Sequence, residues 1–304
     1  MPEVKKIIID ENISGQRLDN FLLNKLKGVP KSKIYSIIRK GEIRINSKRK
    51  KPSYKLINGD EVRVPPIKTS KKENQFVPSK VIALLKDAIV EENEDYIAIN
   101  KPEGIASHGG SGISIGVIEA IRNFGKAYRE AKLVHRLDKD TSGCQLIAKN
   151  NKFLRRCNKL ISERQVQKTY QAVVHGNWIH KDGLHEINIK KNMLVGKERM
   201  VKISEGGKIA KTFFQAVESS KHFSLVECEL VTGRTHQLRV HLSELGFPIV
   251  GDIKYGIKEG QLVKDSDHKK RMYLHANSFV SEDLNIHLRV EPPKEFKKIL
   301  KNDE

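Results

Sequence analysis

The sequence predicts an α+β protein in two unequal parts. A small basic module of two helices and a little sheet comes first, followed by a larger domain built on a mixed, mainly antiparallel β-sheet. Three observations carry this reading. At 304 residues the chain can bury one sizeable core and still carry a small extra module. Beyond residue 83, strand-like runs outnumber helical ones. The charge is also uneven: of a formal net +20, a net of +10 falls within residues 15–64, where 14 Lys and Arg stand against four acids.

Composition is that of an ordinary globular protein, 38% hydrophobic and 31% charged, with no apolar run near the ~18 residues of a membrane span. The start, MPEVKKIIIDEN, has three isoleucines and then acids, so no secretory signal is expected. Cys144, Cys157 and Cys228 are far apart in partly apolar settings. They read as buried thiols of a reducing compartment, the cytoplasm, and give neither a disulfide frame nor a zinc site. Localised positive charge calls for a polyanionic partner, because each neutralised phosphate releases condensed counterions.

Taken in order, residues 3–10 read as a short edge strand. Gly15 to Lys27 carries Leu18, Phe21, Leu22 and Leu26 at helical spacing, with Ser14 as cap. Pro30-Lys31-Ser32 opens a second helix bearing Ile34, Ile37 and Ile38, closed by Gly41. Two brief strands follow, Glu42–Asn46 and Glu61–Val64, the latter entered by the turn Asn58-Gly59-Asp60. Arg17, Lys31, Lys33, Arg39, Lys40, Arg44, Lys48 and Arg49 crowd this module and are its expected nucleic-acid contacts. The second helix leads straight into a strand, which favours an RNA-binding module over a DNA-reading helix-turn-helix, usually framed by further helices. Residues 66–82 are rich in proline and lysine and form a linker, giving domains over 1–65 and 83–304.

In the larger domain, Ala88–Glu91 and Tyr96–Asn100 are apolar strands. Ser107-His108-Gly109-Gly110-Ser111-Gly112 lacks the Gly-Lys-Ser/Thr ending of a P-loop and reads as a flexible loop. Lys132–Leu137 and Cys144–Lys149 form a hairpin around Asp138-Lys139-Asp140-Thr141-Ser142-Gly143, whose residue types suit a tight connection. Phe153, Leu154, Cys157, Leu160 and Ile161 mark an amphipathic helix. Gln167–His175 is a strand with Lys168, Tyr170 and Ala172 on one face. Glu186–Lys190, Ala210–Val217, Phe223–Val231 and Ile286–Val290 add further strands.

Two polar clusters stand out. One is His135-Arg136-Leu137-Asp138 with Asp140-Thr141-Ser142-Gly143. The other is Gly233-Arg234-Thr235-His236-Gln237, leading into a helix with the stripe Leu238, Leu242 and Leu245 and an end at Gly246. Arg234 and Thr235 fall at that helix's start, where free N–H groups attract anions. His236 and His241 are five apart, without an acidic third ligand, so they read as hydrogen-bonding groups or phosphate contacts and no metal is expected.

These clusters, with Lys168-Thr169-Tyr170 and Leu274-His275-Ala276, resemble the motifs of the RluA-type pseudouridine synthases, and the basic module resembles the S-four-like RNA-binding fold. The resemblance implies that Asp138 is the catalytic aspartate, that Tyr170 lines the active site, and that Arg234 pairs with Asp138. It implies that Arg136 takes the place of the extruded nucleotide, with His135 and Leu274 as further substrate contacts. Gly251-Asp252-Ile253-Lys254-Tyr255-Gly256 also looks like a family segment, but a plain turn explains it equally well. The implied activity is conversion of specific uridines in large-subunit ribosomal RNA to pseudouridine, by a monomer, without metal or other cofactor. The alternatives are a synthase acting on tRNA and a non-catalytic RNA-binding factor of ribosome assembly.

Overall fold

The computed structural model describes all residues except 1–2, 12, 27, 68–75, 111–114, 180, 196–197, 258–270 and 304. The chain divides into two compact units, Met1–Phe76 and Val77–Glu304. Among the described residues no helix is long and apolar enough to cross a membrane.

The first unit is a three-stranded antiparallel sheet in the order β1 (Lys5–Ile8), β3 (Glu61–Val64), β2 (Arg44–Ile45), packed against α1 (Leu18–Lys25) and α2 (Lys31–Lys40). The stripes Leu18, Phe21, Leu22 and Ile34, Ile37, Ile38 meet Val62 and Val64 in one core. Arg17, not Ser14, stands at the start of α1. Asp10 bends the chain there, its Oδ1 accepting from Ile13 N at 2.9 Å, so Ser14 lies within a preceding turn. Arg17 is tied down by a twofold hydrogen bond to the buried Asp19 carboxylate, at 2.6 and 3.1 Å. This, ahead of burial, holds the Asp19 carboxyl below its ordinary range. Lys31, Lys33, Arg39, Lys40, Lys48 and Arg49 are exposed and Arg44 half-buried.

The second unit opens inside the expected linker. Pro78 caps α3 (Ser79–Asp87), whose Leu85 is fully buried. The middle of that linker, 68–75, lies outside the described residues. There follow β4 (Ile89–Glu92), β5 (Tyr96–Lys101), α4 (Val117–Ile121), β6 (Lys132–Leu133), β7 (Ser142–Ala148), α5 (Asn151–Ser162) and β8 (Gln167–His175). Next come β9 (Gly183–Val195), β10 (Glu198–Ile203), β11 (Lys208–Ser219), β12 (Phe223–Leu230), α6 (Gln237–Glu244), β13 (Leu274–Ser281), β14 (Ile286–Arg289) and α7 (Glu295–Lys301). They build one sheet in the order β10-β9-β11-β12-β8-β13-β7-β5-β4, with β14 beside β13 and β6 beside β7.

Helices cover both faces of this sheet, which explains strands without an apolar/polar alternation. In β5 and β7, Ala98, Cys144 and Leu146 pack on Phe153, Cys157 and Leu160 of α5. Their neighbours Ile97, Ile99 and Ile147 pack on Leu85 of α3 and Val117 and Ile121 of α4. In β8 and β12, Tyr170, Ala172 and Cys228 meet Leu238 and Leu242 of α6. Val173 and Leu225 meet Phe296 and Ile299 of α7 on the other face. The three cysteines are free and buried.

Among the described strands, β13 and β7 make the one parallel pairing, with His275 opposite Ser142 and Ala276 opposite Gly143. Both strands therefore begin at the same edge of the sheet, and what precedes β7 converges there with Leu274. The approach is close. A Cβ on Gly143, at φ 111°, would lie 2.3 Å from the Ala276 carbonyl oxygen, so no side chain fits.

Candidate active site

The 132–149 hairpin is shorter than expected, since β6 pairs with β7 only at Lys132 and Leu133. Beyond that point Ser107 captures the strand. Its Oγ accepts from Leu137 N at 2.9 Å and donates to Leu137 O at 2.7 Å, while Gln145 Nε2 donates to the same Oγ at 2.9 Å. Val134 N still donates to Leu146 O at 3.2 Å, and residues 135–141 leave the sheet as a pinned loop. Ser107 is itself 2% exposed, so this end of the glycine-rich stretch is anchored; Ser111 and Gly112 at its far end lie outside the described residues. Lys101, with no exposed surface, fastens the loop's other side by donating to the carbonyls of Pro102 and Ile105 at 2.8 Å and Lys139 at 3.1 Å. Burial pushes its ammonium down to about 7, against the pull of Asp140, Asp138 and Glu103.

Asp138 is half-buried at the tip. Its Oδ2 receives Arg239 Nη1 at 3.4 Å and has His236 Nε2 at 3.8 Å. The expected pairing with Arg234 is therefore corrected. Arg234 Nε donates to the Ile209 carbonyl at 3.2 Å and its backbone N–H to Gln237 Oε1 at 3.0 Å, which draws the guanidinium toward β11. Arg239, in the first turn of α6, is aimed at Asp138 by Asp252. Its Nε and Nη2 donate to the two Asp252 oxygens, each at 2.7 Å. Asp252 Oδ1 also accepts the backbone N–H groups of Lys254 and Tyr255, at 2.9 and 3.0 Å.

The segment 251–256 is thus more than a plain turn; it carries the carboxylate that fixes the arginine. Gly251 is obligatory there, since at φ 75° an added Cβ would fall 1.7 Å from Arg271 O. Burial opposes both charges of this pair. The two hydrogen bonds and the mutual attraction prevail, holding the Asp252 carboxyl below and the Arg239 guanidinium above their ordinary values.

Orientation of His236 follows from the same segment. Val201 N–H donates to Tyr255 Oη at 3.0 Å, leaving the Tyr255 hydroxyl free to donate to His236 Nδ1 at 2.8 Å. Burial holds the ring neutral, so its proton sits on Nε2, facing Asp138. The residue is held in the left-handed region, φ 52°, at the start of α6, a conformation costing on the order of 1–2 kcal/mol off glycine. His241 is fully buried, 3.2 Å from Thr212 Oγ1 and edge-on to Phe214, with burial pushing its ring down to about 4. It has no access to a phosphate.

A cavity of about 880 Å³ opens beside Asp138, lined by Arg136, Lys168, Tyr170 and Arg234 among others. It continues into a cleft of about 70 Å³ that gathers Asp138, Tyr170, Arg239 and Leu274. Tyr170 is 8% exposed, and burial, with Asp138 adding to it, keeps its hydroxyl a neutral phenol. Leu274 walls the cleft. Arg136 is exposed at the mouth, its Nη1 3.2 Å from His108 Nε2. His135 also borders the cavity, but its ring serves the fold: Nε2 accepts the Leu146 backbone N–H at 3.1 Å and the ring stacks on Phe279 at 5.2 Å. Burial, with Lys168 nearby, pushes it down to about 3. Among the described residues no three His, Cys, Asp or Glu side chains are grouped to hold a metal ion.

Sequence reasoning missed Arg239 and Asp252. The available signal was two arginines five residues apart across a helix start, with a glycine-aspartate turn near it.

A carboxylate braced by a guanidinium in a basic cavity suits attack on, or departure from, a sugar carbon. Comparison with known proteins agrees. A family model described as RNA pseudouridylate synthase matches residues 95–244, and an S4 domain matches residues 16–62. Ribosomal large subunit pseudouridine synthase C of Salmonella typhi is 44% identical over 307 residues, covering 98% of this chain and 96% of that protein. The protein so named from Escherichia coli (strain K12) is 44% identical over 298 residues, covering 96% and 93%. The solved structure of human RNA Pseudouridylate Synthase Domain Containing 4 aligns with a TM-score of 0.61 and 26% identity, over 73% of this chain and 95% of that one. The chain belongs to the RluA-type RNA pseudouridine synthases, isomerases in which an S4 domain here precedes the synthase domain.

Proposed function

We propose that the protein converts specific uridines of large-subunit ribosomal RNA to pseudouridine, with Asp138 as the catalytic carboxylate and the first unit docking the RNA. The observation that supports this most is the bracing of Asp138 by Arg239 and Asp252 beside a cavity able to admit a nucleotide. The substrate class comes from relatives at 44% identity along nearly the whole chain.

The reaction breaks the N1–C1′ bond and re-forms it through C5, with no net oxidation or reduction, so nothing in its balance calls for a redox group. Asp138 assists by attacking the sugar or by stabilising the cationic sugar as uracil departs. Arg239 at 3.4 Å and His236 Nε2 at 3.8 Å orient the carboxylate. The target must leave its stack, which costs a few kcal/mol, less from a loop. Arg136, exposed at the mouth, is placed to fill the gap, and Tyr170 and Leu274 give the uracil flat apolar walls. Held as a phenol, Tyr170 relays the C5 proton: Oη takes it as the hydroxyl's own proton passes to water in the cavity, and N1 takes a proton from water. We propose further that the protein works in the cytoplasm as a monomer.

The test is tritium release from large-subunit rRNA carrying tritium at C5 of its uridines, with tRNA labelled the same way beside it. Release from rRNA alone is expected. No release from rRNA refutes the assignment.

A further inference from the structure

Of the cations bordering the cavity, one is half-buried rather than exposed, and it has no counterpart. Lys168 lies two residues before Tyr170 on β8, on the same face by strand alternation, and both line the 880 Å³ space. Its strand is interior to the sheet, flanked by β12 and β13, with Lys168 itself opposite Phe279, so its position is fixed. Lys168 is half-buried, yet among the described residues its ammonium has neither a hydrogen bond nor an ion pair. Burial lowers its proton affinity and no acid offsets this. Six Lys and Arg border the cavity against one acid, Asp138, and that acid is taken by Arg239. A Cβ on Gly233 would sit 3.7 Å from Lys168 Nζ, so the ammonium lies against bare backbone of the 232–236 loop.

A half-buried charge without a partner disfavours the fold. Its retention has a reason only when an anion arrives with the substrate. A neutral uracil carbonyl compensates a cation weakly; a phosphodiester matches it in charge and offers strong acceptors. We propose that Lys168 is a phosphate anchor, taking the phosphodiester that flanks the uridine presented to Asp138. This rests on the proposed function and specifies how the same cavity grips its RNA. It is a positioning role, since the ammonium touches the backbone of the substrate and not the reacting atoms.

The experiment compares full-length wild type, Lys168→Met and Lys168→Arg on an rRNA fragment, by tritium release and by binding across a salt series. Lys168→Met should raise KM about tenfold, leave kcat within about twofold, and flatten the slope of log affinity against log salt by about 0.7, one single-strand phosphate. Lys168→Arg should restore most of the KM. The methionine variant should melt no lower than wild type, because it removes an uncompensated charge and keeps the stem; a lower melting temperature with unchanged KM means a structural lysine and overturns the proposal. Uncharged methylphosphonate linkages placed singly around the target should weaken wild type at one linkage and weaken Lys168→Met no further there. A fall in kcat at unchanged KM places Lys168 on the reacting base and likewise overturns it. Should wild type release no tritium, the proposed function fails; the anchor is then judged on oligouridylate binding, where an unchanged salt slope refutes it.

Discussion

Asp252→Asn removes one charge and almost no volume from a side chain remote from any substrate contact, so its consequences follow from the bracing alone. The Asp252 carboxylate accepts four hydrogen bonds, two from Arg239 at 2.7 Å and two from backbone N–H groups at 2.9 and 3.0 Å. Asparagine retains the backbone pair through Oδ1 and turns an NH2 toward the guanidinium. The Nη2 bond survives on a now neutral Oδ1, the Nε bond to Oδ2 is lost to the NH2, and Arg239, its side chain 9% exposed, is left with Asp138 at 3.4 Å as its one carboxylate. Removing one partner of a buried ion pair costs about 3–5 kcal/mol. For a unit of this size each kcal/mol moves the melting temperature by about 2–4 °C. A fall of about 10 °C is expected in a thermal melt at neutral pH.

Arg239 is also freed to swing toward Asp138 and shift the carboxylate. A displacement near 1 Å at a reacting group costs about 10²-fold in rate. The tritium-release kcat should fall by that factor, with RNA affinity unchanged because Asp252 faces no RNA. A variant that melts within 2 °C of wild type and turns over within about twofold would refute the bracing.

Three further outcomes are expected. Tyr170→Phe keeps the ring that walls the cleft and loses the hydroxyl that relays the C5 proton, so kcat should fall by about 10²–10⁴ with RNA affinity held within about twofold; an equal loss in both parameters would refute the relay. Burial depresses the rings of His241 and His275, each to about 4, so the unfolded chain protonates first and the stability they confer, full above pH ~6.5, is lost as pH falls toward 4. At pH 5 this amounts to at most about 2 kcal/mol for each, and a melting temperature flat from pH 7 to pH 5 would contradict it. Removing residues 1–76 should weaken rRNA binding at least tenfold and flatten its salt dependence, with turnover at saturating RNA preserved; a catalytic collapse instead would show that the first unit does more than dock.

Much of this was legible in the residues, for reasons that also mark where legibility stops. The stripes Leu18, Phe21, Leu22 and Ile34, Ile37, Ile38 face a core of their own, so their spacing gave away both helices of the first unit. Asp138 and Tyr170 sit in dense local motifs and could be named from them. Which arginine meets Asp138 was not local information: it depends on where α6 begins and on Asp252, 114 residues further along the chain. Residues 134–137 have strand-like composition, but Ser107, 30 residues upstream of Leu137, takes both backbone groups of Leu137 and ends the pairing. Pro78 reads as punctuation in the sequence while serving as the cap of α3, so the helix start is hidden at the end of the linker. Covered strands such as β7, buried at all seven positions, carry no alternation to read.

The central claim is that the Asp138 carboxylate carries the isomerisation. It is tested most directly by treating unmodified large-subunit rRNA with wild type and with Asp138→Asn, then mapping pseudouridines by carbodiimide adducts and primer extension. The account predicts stops at discrete uridines with wild type and none above background with the variant, at equal RNA binding. Stops of equal strength with both proteins would contradict it.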